Sequence, residues 1–169
     1  MTQREAILDI LRQAYQIEVD GYTFYSMTAE RADKPAVQEL FAKLASDELQ
    51  HQAFLKEIGR DFEAKGAVAF AIHRRTPDAK ALSQQVFSER FREQAQGATF
   101  ELAVLSVGMT LETRAITYFA EAAKGASEKE VREFYEFLAD WERQHLDALQ
   151  KLHGMVRGDF WADGRFSPF

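Results

Sequence analysis

The chain has 169 residues, 46% of them hydrophobic, enough for one domain with its own core. Its net charge of −6 argues against nucleic acid or an anionic membrane surface as partner. It has no cysteine, which excludes disulfides, thiolate nucleophiles and any cysteine-held iron centre on these residues. No apolar run approaches the ~18 residues of a membrane span, and Met1 to Glu5 lacks an apolar signal core, so the expected location is the cytoplasm.

Three prolines and nine glycines, against much Ala, Leu, Glu, Gln and Arg, favour helix throughout. A first helix is predicted from Thr2, where Thr2 and Glu5 form a capping box, to about Arg31. Its apolar stripe runs Ile7, Ile10, Leu11, Ala14, Ile17, Gly21, Phe24, Tyr25, and Glu18 falls inside it. A carboxylate on a buried face needs a partner, and a metal ion is a good one. Asp33 is the predicted cap of a second helix, with Pro35 in its first turn. That helix places Val37, Leu40, Phe41, Leu44, Ala45, Glu48, His51, Leu55 and Ile58 on one side and ends by Gly66. Asp33 lies midway between Glu18 and Glu48. An antiparallel pair folded there brings the two glutamates level, roughly 22 Å from the turn at a rise of about 1.5 Å per residue.

Residues 66–98 break the pattern and read as a long crossover. It has an apolar segment from Gly66 to Ile72, a turn at His73 to Pro77 and a polar amphipathic helix from Asp78 to Gln96. His73 and the Arg74–Arg75 pair read as solvated surface. A third helix is predicted from Thr99 to Gly125, with Leu102, Leu105, Gly108, Met109, Glu112, Ile116, Phe119 and Ala120 inward. Ser127 with Glu130 forms the capping box of a fourth, which carries Val131, Phe134, Tyr135, Leu138, Glu142, His145, Leu149 and Leu152 and stops at Gly154. His153 then lies at that helix's C-terminal end, where it suits the dipole. The tail, 155–169, holds Phe160, Trp161, Phe166 and Phe169, which dock either on the bundle itself or on a second subunit.

The second half repeats the first. Glu18, Glu48 and His51 recur 94 positions later as Glu112, Glu142 and His145, and Leu11, Ala29, Leu44, Ala45, Gln50 and Leu55 recur as identical residues at the same offset. Each Glu-x-x-His puts a carboxylate and an imidazole one turn apart on the same helical face. The architecture expected is all-α, a ferritin-like four-helix bundle made of a duplicated hairpin: hairpin 2–65, crossover 66–98, hairpin 99–154, then the tail. Four glutamates and two histidines so arranged are the ligand set of a carboxylate-bridged two-metal site. The donors suit iron first, with manganese and zinc as alternatives. Six ligands for two metals leave open positions for dioxygen, peroxide or water. Burying the six without a cation is costly, because neighbouring carboxylates raise one another's pKa. Tyr15, Tyr25, Tyr118 and Tyr135 share the ligands' faces, as core packing or as partners of the ligands.

Glu18-x-x-Gly21-x-x-Phe24-Tyr25, followed by Leu40-Phe41-x-x-Leu44-Ala45-x-x-Glu48-x-x-His51, resembles the rubrerythrin-type di-iron domain of the ferritin-like superfamily. Glu112 to Phe119 and Phe134 to His145 carry the resemblance a second time, so it covers residues 5–153. It implies a non-haem di-iron centre that reduces hydrogen peroxide with electrons from an external donor, or oxidises ferrous iron, with peroxide or dioxygen as the oxidant. By the pattern of such sites, Glu18 and Glu112 are terminal ligands, Glu48 and Glu142 bridge, and His51 and His145 each cap one metal. A homodimer is the expected assembly. The chain departs from the family in two ways. It has no rubredoxin-type cysteines, so the donor is expected to be a separate protein such as a rubredoxin. The extra glutamate of helix 3 is missing, with Met109 and Ala115 flanking Glu112 at that spacing. Two other classes share these ligands: an iron-storage or sequestration protein, and a non-redox metal-binding module.

Overall fold

In the computed structural model the described residues are 3–65 and 99–163, and they are helical apart from two short turns. Helix α1 spans Gln3–Arg31, α2 Pro35–Lys65, α3 Thr99–Gly125 and α4 Lys129–Asp163. They form a four-helix bundle of two tight hairpins, α1 with α2 and α3 with α4, and α1 also packs on α3. The predicted crossover with His73, Arg74 and Arg75, together with Thr2, Phe166 and Phe169, lies outside the described residues.

The inward stripe of α2 is buried at every predicted position from Val37 to Ile58. Burial of such a stripe, more than intrinsic propensity, stabilises long amphipathic helices. The core divides into two apolar clusters. One contains Tyr25, Val37, Phe41, Leu44, Leu105, Leu149 and Leu152. The other contains Leu11, Leu55, Phe119, Tyr135, Leu138 and Trp141. The 94-residue repeat exchanges them: Leu44, Leu55 and Tyr25 of one hairpin answer to Leu138, Leu149 and Phe119 of the other. The ligand candidates lie between the two clusters.

Three local expectations are corrected. Helix α2 begins at Pro35, and the Lys34 carbonyl accepts from the Val37 and Gln38 amides at 3.0 Å, so the cap position is Lys34, one residue past Asp33. Likewise the Glu128 carbonyl accepts from the Arg132 amide at 3.0 Å, one residue past Ser127. Pro35 explains the first shift, because its fixed φ suits the opening position of a helix and it has no amide to leave unpaired. Helix α4 does not stop at Gly154 but continues to Asp163, through the first nine residues of the predicted tail. An interior glycine costs about 1 kcal/mol relative to alanine. Val156, 2% exposed in the first core cluster, supplies apolar burial beyond that point. His153 is therefore an interior residue of α4 and not a C-terminal one, and its Nε2 lies 3.3 Å from Ser106 Oγ.

Glu101, which the sequence presents only as an acidic first-turn residue, is buried, and its Oε1 meets Lys34 Nζ at 3.1 Å. The pair pins the α1–α2 turn to the start of α3. Glu101→Ala is expected to lower unfolding stability by about 1–2 kcal/mol, read from the midpoint of chemical denaturation.

Candidate metal centre

Each candidate ligand is inside the bundle: Glu18 is 0%, Glu48 2%, His51 2%, Glu112 3%, Glu142 1% and His145 3% exposed. The helical period sets this, since each Glu-x-x-His lies in the same inward stripe as the leucines around it. All six predicted residues meet at one level of the bundle. They fall into two groups, Glu18–Glu48–His51–Glu142 and Glu48–Glu112–Glu142–His145, whose donor atoms within each group lie within 4.8 Å of one another. Glu48 and Glu142 belong to both. These two buried clusters are capable of binding two metal ions per chain.

His51 Nδ1 lies 2.9 Å from Glu18 Oε2, 3.5 Å from Glu48 Oε2 and 3.8 Å from Glu142 Oε1. His145 Nδ1 lies 3.3 Å from Glu48 Oε1, 3.7 Å from Glu112 Oε1 and 3.8 Å from Glu142 Oε2. Only the His51–Glu18 contact has the geometry of a hydrogen bond, and at His145 the attraction is electrostatic. The Tyr25 hydroxyl donates to Glu112 Oε1 across the hairpins. Of the other tyrosines, Tyr118 donates to Gln13 and the Tyr15 ring lies 5.0 Å beneath the Lys56 ammonium.

Burial and then the neighbouring Glu48 push Glu18 well above the ordinary carboxylate range. Burial followed by Glu18, Glu112 and Glu48 does the same to Glu142. Burial also acts on Glu48, but the two imidazoles outweigh it and hold that carboxylate well below the usual range. For His145, burial favours the neutral ring, and Glu112 and Glu48 overcome it, raising its pKa well above that of an ordinary histidine. Without a cation, then, the cluster must hold protons to offset its own charge.

Glu18 Oε1, Glu142 Oε1 and His145 Nδ1 are buried with no hydrogen-bond partner. Unpaired buried acceptors of this kind are costly unless a cation takes their lone pairs. Carboxylate oxygen and imidazole nitrogen are donors suited to first-row metals, so the residues fit a metal pair.

Gly21 is where α1 lets Glu48 approach. A Cβ there would come within 3.0 Å of Glu48 Cδ and 3.1 Å of its Oε1. Gly21→Ala is expected to weaken metal binding about 10-fold or more by displacing Glu48, despite alanine's better helix propensity. An isotherm for ferrous iron under anaerobic conditions would check it.

Sequence reasoning missed two neighbours of the histidines. The Trp141 indole stacks on the His51 ring, centroids 4.0 Å apart and planes 14° apart. Asp47 Oδ2 lies 3.9 Å from His145 Nε2. The signal lay in the repeat, because 47 and 141 are equivalent positions occupied by unlike residues.

A four-helix bundle holding two buried carboxylate–imidazole clusters that share two glutamates has the architecture of a ferritin-like dinuclear metalloprotein. The family model for rubrerythrin matches residues 9–153, and the chain belongs to the rubrerythrin family. Searches of the curated proteins and of the solved structures found no significant match. The family fold and the two clusters are together consistent with a non-haem di-iron oxidoreductase of the peroxidase kind. No helix among the described residues is long and apolar enough to cross a membrane.

Proposed function

We propose that the chain reduces hydrogen peroxide at a pair of iron ions with electrons from a separate donor, or oxidises ferrous iron there with dioxygen or peroxide as the electron acceptor. The observation that carries the reading is the sharing of Glu48 and Glu142 between the two clusters. On this reading those two glutamates bridge, Glu18 and His51 complete one metal position, and Glu112 and His145 complete the other. A bound iron pair would supply the two electrons that cleave a peroxide bond.

The protein's own residues do the rest. Glu48 stays ionised between the two imidazoles and is ready to bind a cation. Burial raises the carboxyl pKa of Glu18 and Glu142, so in the metal-free chain they hold a proton more tightly than an ordinary carboxylate, and a metal that takes their oxygens must displace it. Tyr25 holds Glu112 in place through its hydroxyl. Apolar residues above and below exclude bulk water, and this strengthens every charge interaction at the centre.

With no cysteine on these residues, the donor is expected to carry its own cysteine-held iron, as a rubredoxin does. A homodimer in the cytoplasm goes with the family resemblance and the cysteine-free composition.

Anaerobic loading with ferrous iron followed by metal analysis tests the reading. Two irons per chain, oxidised much faster by peroxide than by air, is the expected result. Faster oxidation by air selects the ferrous-oxidising reaction, and uptake continuing beyond two irons points instead to a storage protein. Absence of bound iron would overturn the assignment of the six residues.

A further inference from the structure

The duplication that builds the two clusters does not extend to the residues behind them. Behind His145 stands Asp47, its Oδ2 3.9 Å from Nε2 and its Oδ1 accepting from the Lys43 ammonium. At the equivalent positions behind His51 stand Trp141 and Phe137. Trp141 lies flat on the imidazole, Phe137 packs on the indole at 4.8 Å and Phe54 at 4.9 Å. Phe54 has Ala148 as its counterpart, so the side that is filled by aromatic rings in one half is left open to a charged pair in the other.

The second layer around the terminal glutamates differs in the same sense. Tyr25 donates its hydroxyl to Glu112, whereas its counterpart Phe119 has no hydroxyl to offer Glu18. Gly108, whose counterpart is Ala14, lies beside this tyrosine, but the tight neighbour of a Cβ there would be Leu149 Cδ1 at 3.1 Å, with Tyr25 in ordinary contact at 3.4–3.5 Å. At Asp47/Trp141 and Tyr25/Phe119 the departures from the repeat therefore put the polar member on the Glu112–His145 side and the apolar member on the Glu18–His51 side.

These partners change what the ligands can do. A carboxylate facing the Nε2 proton favours the tautomer whose lone pair is on Nδ1, the nitrogen that faces the cluster, and raises its basicity. A hydroxyl bonded to one oxygen of Glu112 fixes the orientation of the other. An indole face does neither for His51, and the Trp141 N–H, buried without a partner, could only donate.

We infer that the two metal positions are inequivalent and fill in order, the Glu112–His145 position first and the Glu18–His51 position second, with Asp47 and Tyr25 setting the order. The inference rests on the two-metal reading above. Asp47 and Tyr25 are positioning residues, acting through His145 and Glu112.

The test is anaerobic titration of the metal-free chain with cobalt(II), followed by binding heat and by the visible absorption of the bound ion. Two steps separated by about 10- to 100-fold in affinity are expected. Asp47→Asn, which keeps the shape and removes the charge, should weaken the first step by roughly 10-fold and leave the second unchanged. Tyr25→Phe, which copies the other half, should act in the same way, and Trp141→Phe should spare the first step. Two ions bound in a single step by the parent chain, or Asp47→Asn weakening both steps alike, would overturn the order and leave the two-metal reading standing. Fewer than two ions bound would overturn both.

Discussion

Glu48→Ala and Glu142→Ala are each expected to reduce binding from two metals per chain to at most one. Each of these glutamates belongs to both buried clusters, so each deletion removes a donor from both positions at once. Glu18→Ala and Glu112→Ala remove a donor from one cluster only and should spare the other. Loss of an outer partner of a metal ligand already costs about 10–100-fold in affinity, so deletion of a shared ligand should cost at least about 100-fold for the pair. Metal analysis after anaerobic loading and desalting distinguishes the two classes of variant. If the Glu48→Ala/Glu142→Ala double variant still held two neighbouring ions, neither residue could be a bridge.

Removing the metals should both destabilise the bundle and reverse its dependence on pH. In the metal-free chain Glu18 and Glu142 have raised pKa values, set mainly by burial, and His145 has one raised by Glu112 and Glu48 against burial. A raised pKa means that the folded state binds the proton more tightly than the unfolded state. That stability is complete below the unfolded value, about 4.3 for Glu and 6.5 for His, and is lost as pH rises through the folded value. All three groups therefore make the metal-free bundle more stable near pH 5 than near pH 8. Glu48, whose pKa is lowered, acts in the opposite sense but only below the ordinary carboxylate range, outside this window. In the loaded protein the metals displace these protons, so affinity and stability rise with pH. At free metal about 100-fold above the dissociation constant, each site adds roughly 2.7 kcal/mol. Two sites in a chain of this size correspond to a melting shift of about 10–20 °C. Melting curves of chelated and loaded protein at pH 5, 6, 7 and 8 should diverge as pH rises. Parallel curves would show that the six residues do not exchange protons for metal.

Helix type, helix order and the six clustered residues were legible in the sequence because each rests on a periodicity. The 3.6-residue stripe put Glu48 and His51 among leucines, and the 94-residue repeat distinguished Glu18 and Glu112 from the many surface glutamates. What was not legible depends on tertiary packing or on weak local preferences. Asp33 and Ser127 are good capping residues, yet each helix begins one residue later, at positions where Pro35 and the Glu128 carbonyl set the first turn. Gly154 is a reasonable helix end until Val156 is seen to be buried. The burial of Glu101 depends on Lys34 arriving from the other hairpin. Trp141 is an ordinary core aromatic by pattern, and its stacking on His51 depends on how the two hairpins meet.

Neither hairpin can complete a cluster by itself. Glu18, Glu48 and His51 come from α1 and α2 but take Glu142 from α4, while Glu112, Glu142 and His145 come from α3 and α4 but take Glu48 from α2. The contacts within each hairpin are short-range in sequence, so their closure is entropically cheap and can precede the meeting of the hairpins. Assembly in that order would leave the reciprocal exchange of one glutamate across the interface as its last event. An ion held there would act as a latch between the two halves, and its dissociation rate would bound how often they part.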